Sequence, residues 1–214
     1  MRLDHLSYAA GPEGLAATTQ RLGARLGAAF TDGGIHPSFG TRNFVLALSA
    51  GCYLEIVEAL DHPAVDRAPF GRAVRDRTSD GGGWLAWVVG VDDIAPIEQR
   101  LGRTAAAGHR RRPDGIDLRW AQIGVNDVTD DPQLPFFVEW HVDPADHPST
   151  GGSRVRLTEL DISGDQPSVE DYLGGPTADL FGDVSVTWSP VSEDGTGLAA
   201  AVFETAAFGP VRID

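Results

Sequence analysis

No lysine occurs among the 214 residues; all seventeen cationic side chains are arginine. Schiff-base catalysis on a carbonyl substrate and pyridoxal phosphate chemistry both need a lysine amine, so both are excluded. A phosphate loop that ends in lysine is excluded for the same reason. Cys52 is the one cysteine, so there is no intramolecular disulfide and no cysteine-rich zinc site. Beside Tyr53 in an apolar run, it reads as a small core residue. No stretch approaches the roughly 18 consecutive apolar residues of a membrane span. The opening "MRLDHLSYAAG" carries Asp4 and His5 where a secretory signal would be apolar. A cytoplasmic protein with no membrane partner is expected. Basic character is also scarce, the formal net charge being −14. Such a surface repels nucleic acid, so no nucleic-acid partner is expected. The local exception is "HRRRPDG", His109 to Gly115. Burying adjacent cations is costly, so this run is expected at the mouth of a pocket and not in the core.

What is present is a repeat. "GPEGLAATTQRLG", Gly11 to Gly23, aligns with "GVDDIAPIEQRLG", Gly90 to Gly102. At one constant offset Leu15 meets Ile94, Gln20 meets Gln99, Arg21 meets Arg100 and Leu22 meets Leu101. Leu15, Thr18, Thr19 and Leu22 share a helical face, as do Ile94, Ile97 and Leu101. Gly23 and Gly102 stand where a helix stops on a left-handed residue. A short apolar strand precedes each helix, "LDHLSYAA" in one copy and "GWLAWVVG" in the other. "FVLAL" and "CYLEIV", joined by "SAG", read as a hairpin. Each unit is therefore strand, helix, strand, strand, strand. A degenerate third unit follows, with a strand to about Ile162, a helix over Pro167 to Leu173 and three more strands. The expected organisation is a single domain over 1–214. Module one spans about 1–60, a linker helix about 61–80, module two about 81–145 and module three about 152–214. The third unit is expected to cover a sheet edge.

Two such units pair their sheets around a curved trough where a ligand would sit. Side chains alternate along strands, which groups Leu3 with His5 and Ser7, Tyr53 with Glu55 and Val57, and Phe137 with Glu139 and His141. On that reading His5, Glu55 and Glu139 look into the trough. Two carboxylates and an imidazole suit a divalent metal such as Zn, Ni, Mn, Fe or Mg. The plainer alternative is that the glutamates face solvent and His5 is a hydrogen-bonded core residue. In "HPSFGTRN", Thr41 and Asn43 lie on one face and either orient a polar ligand or cap their own loop. Trp84 and Trp140 would form an apolar wall, and Arg119 would pair with Glu139 or with a substrate carboxylate.

"LDHLSYA", "GGIHPSFGTRN", "CYLEIV", "RPDGIDLRWA" and "PFFVEW" together resemble a glyoxalase-like domain of the vicinal oxygen chelate superfamily, over nearly the whole chain. The resemblance implies an α+β fold. Repeated βαβββ modules form an open, curved barrel of mixed sheet with helices outside, and here a degenerate third module is added. It implies a metal inside the barrel that chelates two neighbouring substrate oxygens. Its ligands come from the first and last strands of each module: His5 and Glu55 from module one, and Glu139 from the last strand of module two. The fourth place maps to Trp84, which cannot ligate. Three explanations stay open. Three residues hold the metal, or His141 or His36 replaces the missing ligand, or no metal binds.

The functional expectation is a metal-dependent enzyme acting on a carbonyl, enol or vicinal-oxygen metabolite, of isomerase, lyase or dioxygenase type. Glu139 and His36 would move protons, while Thr41, Asn43, Trp84, Arg119 and Trp140 would contact the small-molecule substrate. The rivals are a metal-free sequestration protein of the bleomycin-resistance type, and metal-free acid–base catalysis by a buried glutamate. The resemblance leaves room for a homodimer.

Overall fold

A computed structural model describes residues 1–191 and 195–214. Module one runs β1 (Arg2–Ala9), α1 (Leu15–Leu26), β2 (Thr31–His36), β3 (Thr41–Ala47) and β4 (Tyr53–Ala59). Two linking helices, α2 (Ala64–Arg67) and α3 (Pro69–Ser79), lead to module two. Its elements are β5 (Gly83–Gly90), α4 (Ala95–Leu101), β6 (Ala106–Arg111), β7 (Asp117–Ile123) and β8 (Phe136–Trp140). Then come β9 (Arg156–Ser163), α5 (Gln166–Leu173), α6 (Thr177–Leu180), β10 (Ser185–Ser189), β11 (Gly197–Thr205) and β12 (Gly209–Ile213). No helix among the described residues is long and apolar enough to cross a membrane.

The first eight strands form a barrel in the order β1-β4-β3-β2-β6-β7-β8-β5. The modules meet along β1 and β5, which pair antiparallel from Arg2–Gly90 to Ala9–Gly83. On the far side, among the described residues, the pair of Ile35 with Arg111 links β2 to β6 and closes the barrel that the resemblance implied to be open. Helix α1 buries Leu15, Thr18, Thr19, Leu22 and Leu26, and runs one turn beyond the expected stop. The left-handed residue that ends it is Gly27, at φ 64°. Gly23 lies inside the helix because a Cβ there would meet the Ala28 carbonyl oxygen at 2.7 Å. Gly102 does end α4, at φ 62°.

Strand alternation divides the apolar residues into two clusters. The inner one, within the barrel, joins Val57, Phe70, Val88, Trp120, Phe136 and Val138. The outer one joins barrel residues Leu6, Leu54, Trp87 and Phe137 to α1 through Leu22 and to the third unit through Leu160 and Phe203. The four-stranded sheet β10-β9-β11-β12 therefore covers a face of the barrel, not an edge. Trp84 belongs to this outer cluster. Its Nε1 donates to the Ile213 carbonyl at 3.1 Å, tying β5 to the last strand.

Candidate active site

β1 breaks its own alternation. Leu3 packs in the outer cluster with Leu6 and Tyr8, whereas strict alternation groups it with His5. The register against β5 shifts between Leu3 and His5, leaving Asp4 as the extra residue of a bulge. Bulges re-aim side chains, and this one sets two neighbouring polar residues together. His5 Nδ1 lies 2.7 Å from Asp4 Oδ1. Asp4 is fully buried. It accepts a further bond from Trp140 Nε1 at 3.1 Å, and His147 Nε2 lies 3.4 Å from its Oδ2. Burial alone would raise the Asp4 carboxyl. Bonds from His147 and His5 and their attraction outweigh it, so the pKa falls well below the ordinary range and Asp4 is an anion. The bond from His5 Nδ1 to the anionic Asp4 orients the ring so that Nε2 faces Glu55. The imidazole is stacked on Tyr53 at 4.4 Å between ring centres.

His5 Nε2 faces Glu55 Oε1 at 3.8 Å. Both Glu55 oxygens are engaged, Oε1 by the Ser7 hydroxyl at 2.5 Å and Oε2 by Asn43 Nδ2 at 2.6 Å. Burial would raise this carboxyl too. The His5 imidazole, with the bonds from Ser7 and Asn43, outweighs burial and lowers it. His36 lines the same pocket, its Nδ1 being 3.1 Å from Thr41 Oγ1. Burial pushes its pKa down to about 3, so it is neutral near pH 7 and has no proton to give as an acid. The enclosed part of the pocket is small, with a cavity volume of about 30 Å³. Phe39, Phe70, Trp120, Phe136, Val138 and Trp140 make its apolar wall.

The structure brings together His5, Glu55, His36 and Trp140, with Thr41 and Asn43 holding the polar side chains in place. The remaining candidates are elsewhere. Glu139 is on the outer face, where its Oε2 accepts the Ile94 backbone N–H at 2.9 Å and caps α4. His141 is exposed and lies 3.1 Å from Glu139. Arg119 is exposed and pairs with Asp117 at 2.9 Å. Trp84 is in the outer cluster.

The registers show why the expected equivalences were wrong. Ser7 pairs with Glu55 as Val88 pairs with Phe136. His5 pairs with Val88 and, by the same two-fold exchange, Ser7 pairs with Ala86. The counterpart of His5 is therefore Ala86, and that of Glu55 is Phe136. Asn43 pairs with Val57 as Gln122 pairs with Val138, so Gln122 answers Asn43. The counterpart of Glu139 is Glu58, whose Oε1 accepts the Leu15 N–H at 3.0 Å and holds α1 in the same manner.

A divalent metal at the family position would find only His5 and Glu55. Ala86 and Phe136 offer no donor, and Ser7 and Asn43 already occupy the Glu55 oxygens. Among the described residues no cluster of three or more His, Cys, Asp or Glu is placed to hold a metal. The residues do not fit the metal, and no chemical step is routed through one.

Arg110 was missed. In β6 the inward positions are Gly108 and Arg110. A Cβ at Gly108 would meet Trp120 Nε1 at 2.3 Å. Arg110 lines the pocket and is only 2% exposed. The arginine run is thus split: Arg111 is exposed, and Arg112 pairs with Asp114 at 2.6 Å. Alternation applied to "AAGHRR" would have found this; the cost of burying a cation argued against looking. Asp4 left a fainter signal, an Asp-His pair inside an apolar strand.

The chain matches the model of the glyoxalase-like domain over residues 3–172. No curated protein matches it in sequence. A hypothetical protein from Staphylococcus aureus has the same fold, with a TM-score of 0.71 at 12% identity over 100% of this chain and 98% of that one. Methylmalonyl-CoA epimerase from Streptomyces coelicolor aligns at TM-score 0.42 and 17% identity over 65% of this chain and 93% of its own. With a family match across most of its length and a repeated-module barrel, the chain belongs to the glyoxalase-like domain family.

Proposed function

We propose that the barrel pocket binds a small carbonyl compound and moves a proton on it without a metal, as an isomerase or lyase would. The observation that carries this reading is the Asp4–His5 pair at 2.7 Å, with Nε2 directed toward Glu55. His5 Nε2 takes the proton from the carbon beside the substrate carbonyl. The electron pair of that C–H bond forms the C=C bond of an enolate as the carbonyl π pair moves onto the oxygen. The imidazolium so formed lies between two carboxylates, Asp4 at 2.7 Å and Glu55 at 3.8 Å, which stabilise its charge. The Gln122 carbonyl is held by Trp120 Nε1 at 2.8 Å, which leaves its NH₂ to donate to the enolate oxygen. Return of the proton from His5 to the face it left restores the carbon, return after the planar enolate has turned its other face to His5 inverts it, and loss of a β-substituent makes the reaction a lyase. His36, neutral near pH 7, serves as a polar wall.

The test is solvent exchange. A panel of 2-oxo acids, 3-oxo acids and acyl thioesters is incubated in D₂O with chelator-treated protein, and the signal of the carbon-bound proton is followed by NMR. Exchange above buffer in the parent, lost in His5→Gln, supports the reading. Exchange that appears only when a divalent metal is added would falsify it. A second reading, binding without turnover, is favoured by the aromatic wall and shows as binding with no exchange.

A further inference from the structure

We infer that the ligand of this pocket carries a single carboxylate on an apolar body, and that Arg110 binds that carboxylate. The inference rests on the pocket being the ligand site, but not on proton transfer by His5.

Arg110 is buried at the inner wall, yet its Nε has no hydrogen-bond partner. No carboxylate among the described residues comes within ion-pair distance of it. Burial disfavours the cation, and the Glu55 charge favours it from beyond ion-pair distance. However, the two Glu55 oxygens are already taken by Ser7 and Asn43. A buried guanidinium keeps its proton and five N–H donors, and leaving it without an acceptor is heavily destabilising. The neighbouring Arg112 has Asp114 at 2.6 Å and Asp146 at 3.5 Å. The chain therefore has acidic groups to spare for arginines, and the one arginine that points inward is left without one. A planar guanidinium matches a carboxylate through two parallel bonds. One cation suits one negative charge, and the same pocket is lined by Phe70, Trp120 and Phe136, which take an apolar or aromatic body. The net charge of −14 repels anions at long range, so Arg110 retains a bound anion and does not attract one from solution.

The probes are benzoate and phenylacetate against their neutral amides, with phenylphosphonate as a third arm, measured by calorimetry and by the shift in melting temperature. The acids are expected to bind at least ten times more tightly than the amides. Arg110→Gln should weaken the acids by about ten- to a hundredfold, the range for a charge-assisted pair, without weakening the amides, and Arg110→Lys should recover part of the loss. Without ligand, Arg110→Gln should melt at or above the parent temperature. Equal affinity for acid and amide, binding of neither, or unchanged acid affinity in Arg110→Gln would overturn the inference. So would a tenfold preference for the phosphonate, or a lower melting temperature for ligand-free Arg110→Gln, which would make Arg110 a structural partner of Glu55. Acid binding without any solvent exchange removes the proton-transfer reading and leaves this one standing.

Discussion

Along β1 and β4 the barrel interior presents His5, Ser7 and Glu55, whereas the equivalent places on β5 and β8 present Ala86, Val88 and Phe136. On the outside the same two modules agree. Glu58 accepts the Leu15 N–H at 3.0 Å, and Glu139 accepts the Ile94 N–H at 2.9 Å. The outer residues dock helices, and both modules have that task in common, so the helix-holding carboxylate appears twice. The inner residues line the pocket, and at these equivalent places module one carries polar groups and module two apolar ones, the polar groups of module two being Arg110 and Gln122 on its other strands. A duplicated scaffold thus keeps its symmetry where it builds structure and loses it where it meets solute. On the proposed reading a bound molecule would turn its reactive carbon toward His5 of module one and its carboxylate toward Arg110 of module two, with its apolar body against Phe70 and Phe136.

The comparison is broken most directly at His5. His5→Gln removes the base while retaining a polar side chain. Solvent exchange should fall by about 10²- to 10⁴-fold, the usual contribution of a positioned general base, with melting unchanged within a few degrees. Exchange that survives would move the chemistry elsewhere in the pocket. The next effect comes from giving the apolar half a charge. Phe136→Glu places a carboxylate at the counterpart of Glu55, where Val88 stands in place of Ser7 and Gln122 alone, in the place of Asn43, is left to receive it. Denaturant unfolding should show a loss of about 3–5 kcal/mol; near-neutrality would mean that this half of the barrel is wet.

Titration sharpens the difference between the halves. His36 has an ordinary imidazole value of 6.5 when unfolded and about 3 in the fold. Below pH 6.5 the unfolded chain takes up a proton that the folded chain refuses, so stability is full above that pH and falls as pH drops toward 3. Between pH 6.5 and 5 the loss should approach roughly 2 kcal/mol, one proton's worth. His36→Asn should flatten the stability profile in that window. An unchanged slope would show that His36 is hydrated. Asp4 and Glu55, both lowered in the fold, add to acid instability at still lower pH, as their unfolded forms protonate first. The smallest effect tests the shared exterior. Glu58→Gln and Glu139→Gln should each cost about 1 kcal/mol, alike in size and silent in ligand binding. If Glu139→Gln also weakened acid binding, the outer assignment of this residue would fail.

Much of the fold was legible. The helix-and-glycine repeat marks two modules, and periodicity placed α1, α4 and α5 within a few residues. The site was harder to read. Alternation placed His5 and Glu55 correctly but was carried too far at Glu139. There, "PFFVEW" has apolar residues on both faces, so alternation has no polar partner to choose sides. The repeat's constant offset, taken from the helices, put Trp84 opposite His5; the strand registers put Ala86 there. A difference of two residues keeps the same strand parity on paper, but the bulges in the β1–β5 pairing move Trp84 to the outer face.

By itself, the sequence determined the modules, their order, the lysine-free chemistry and the presence of a carboxylate and a histidine inside strands. Those follow from composition and from short-range periodicity, which each residue and its near neighbours specify. The tertiary structure decided that Asp4 meets His5, that Ser7 and Asn43 hold Glu55, that Glu139 serves a helix, and that Arg110 turns inward with no partner. Each of these depends on register between strands distant in sequence and on a one-residue bulge. A shift of one residue in either exchanges the inner face for the outer, and no local pattern records it.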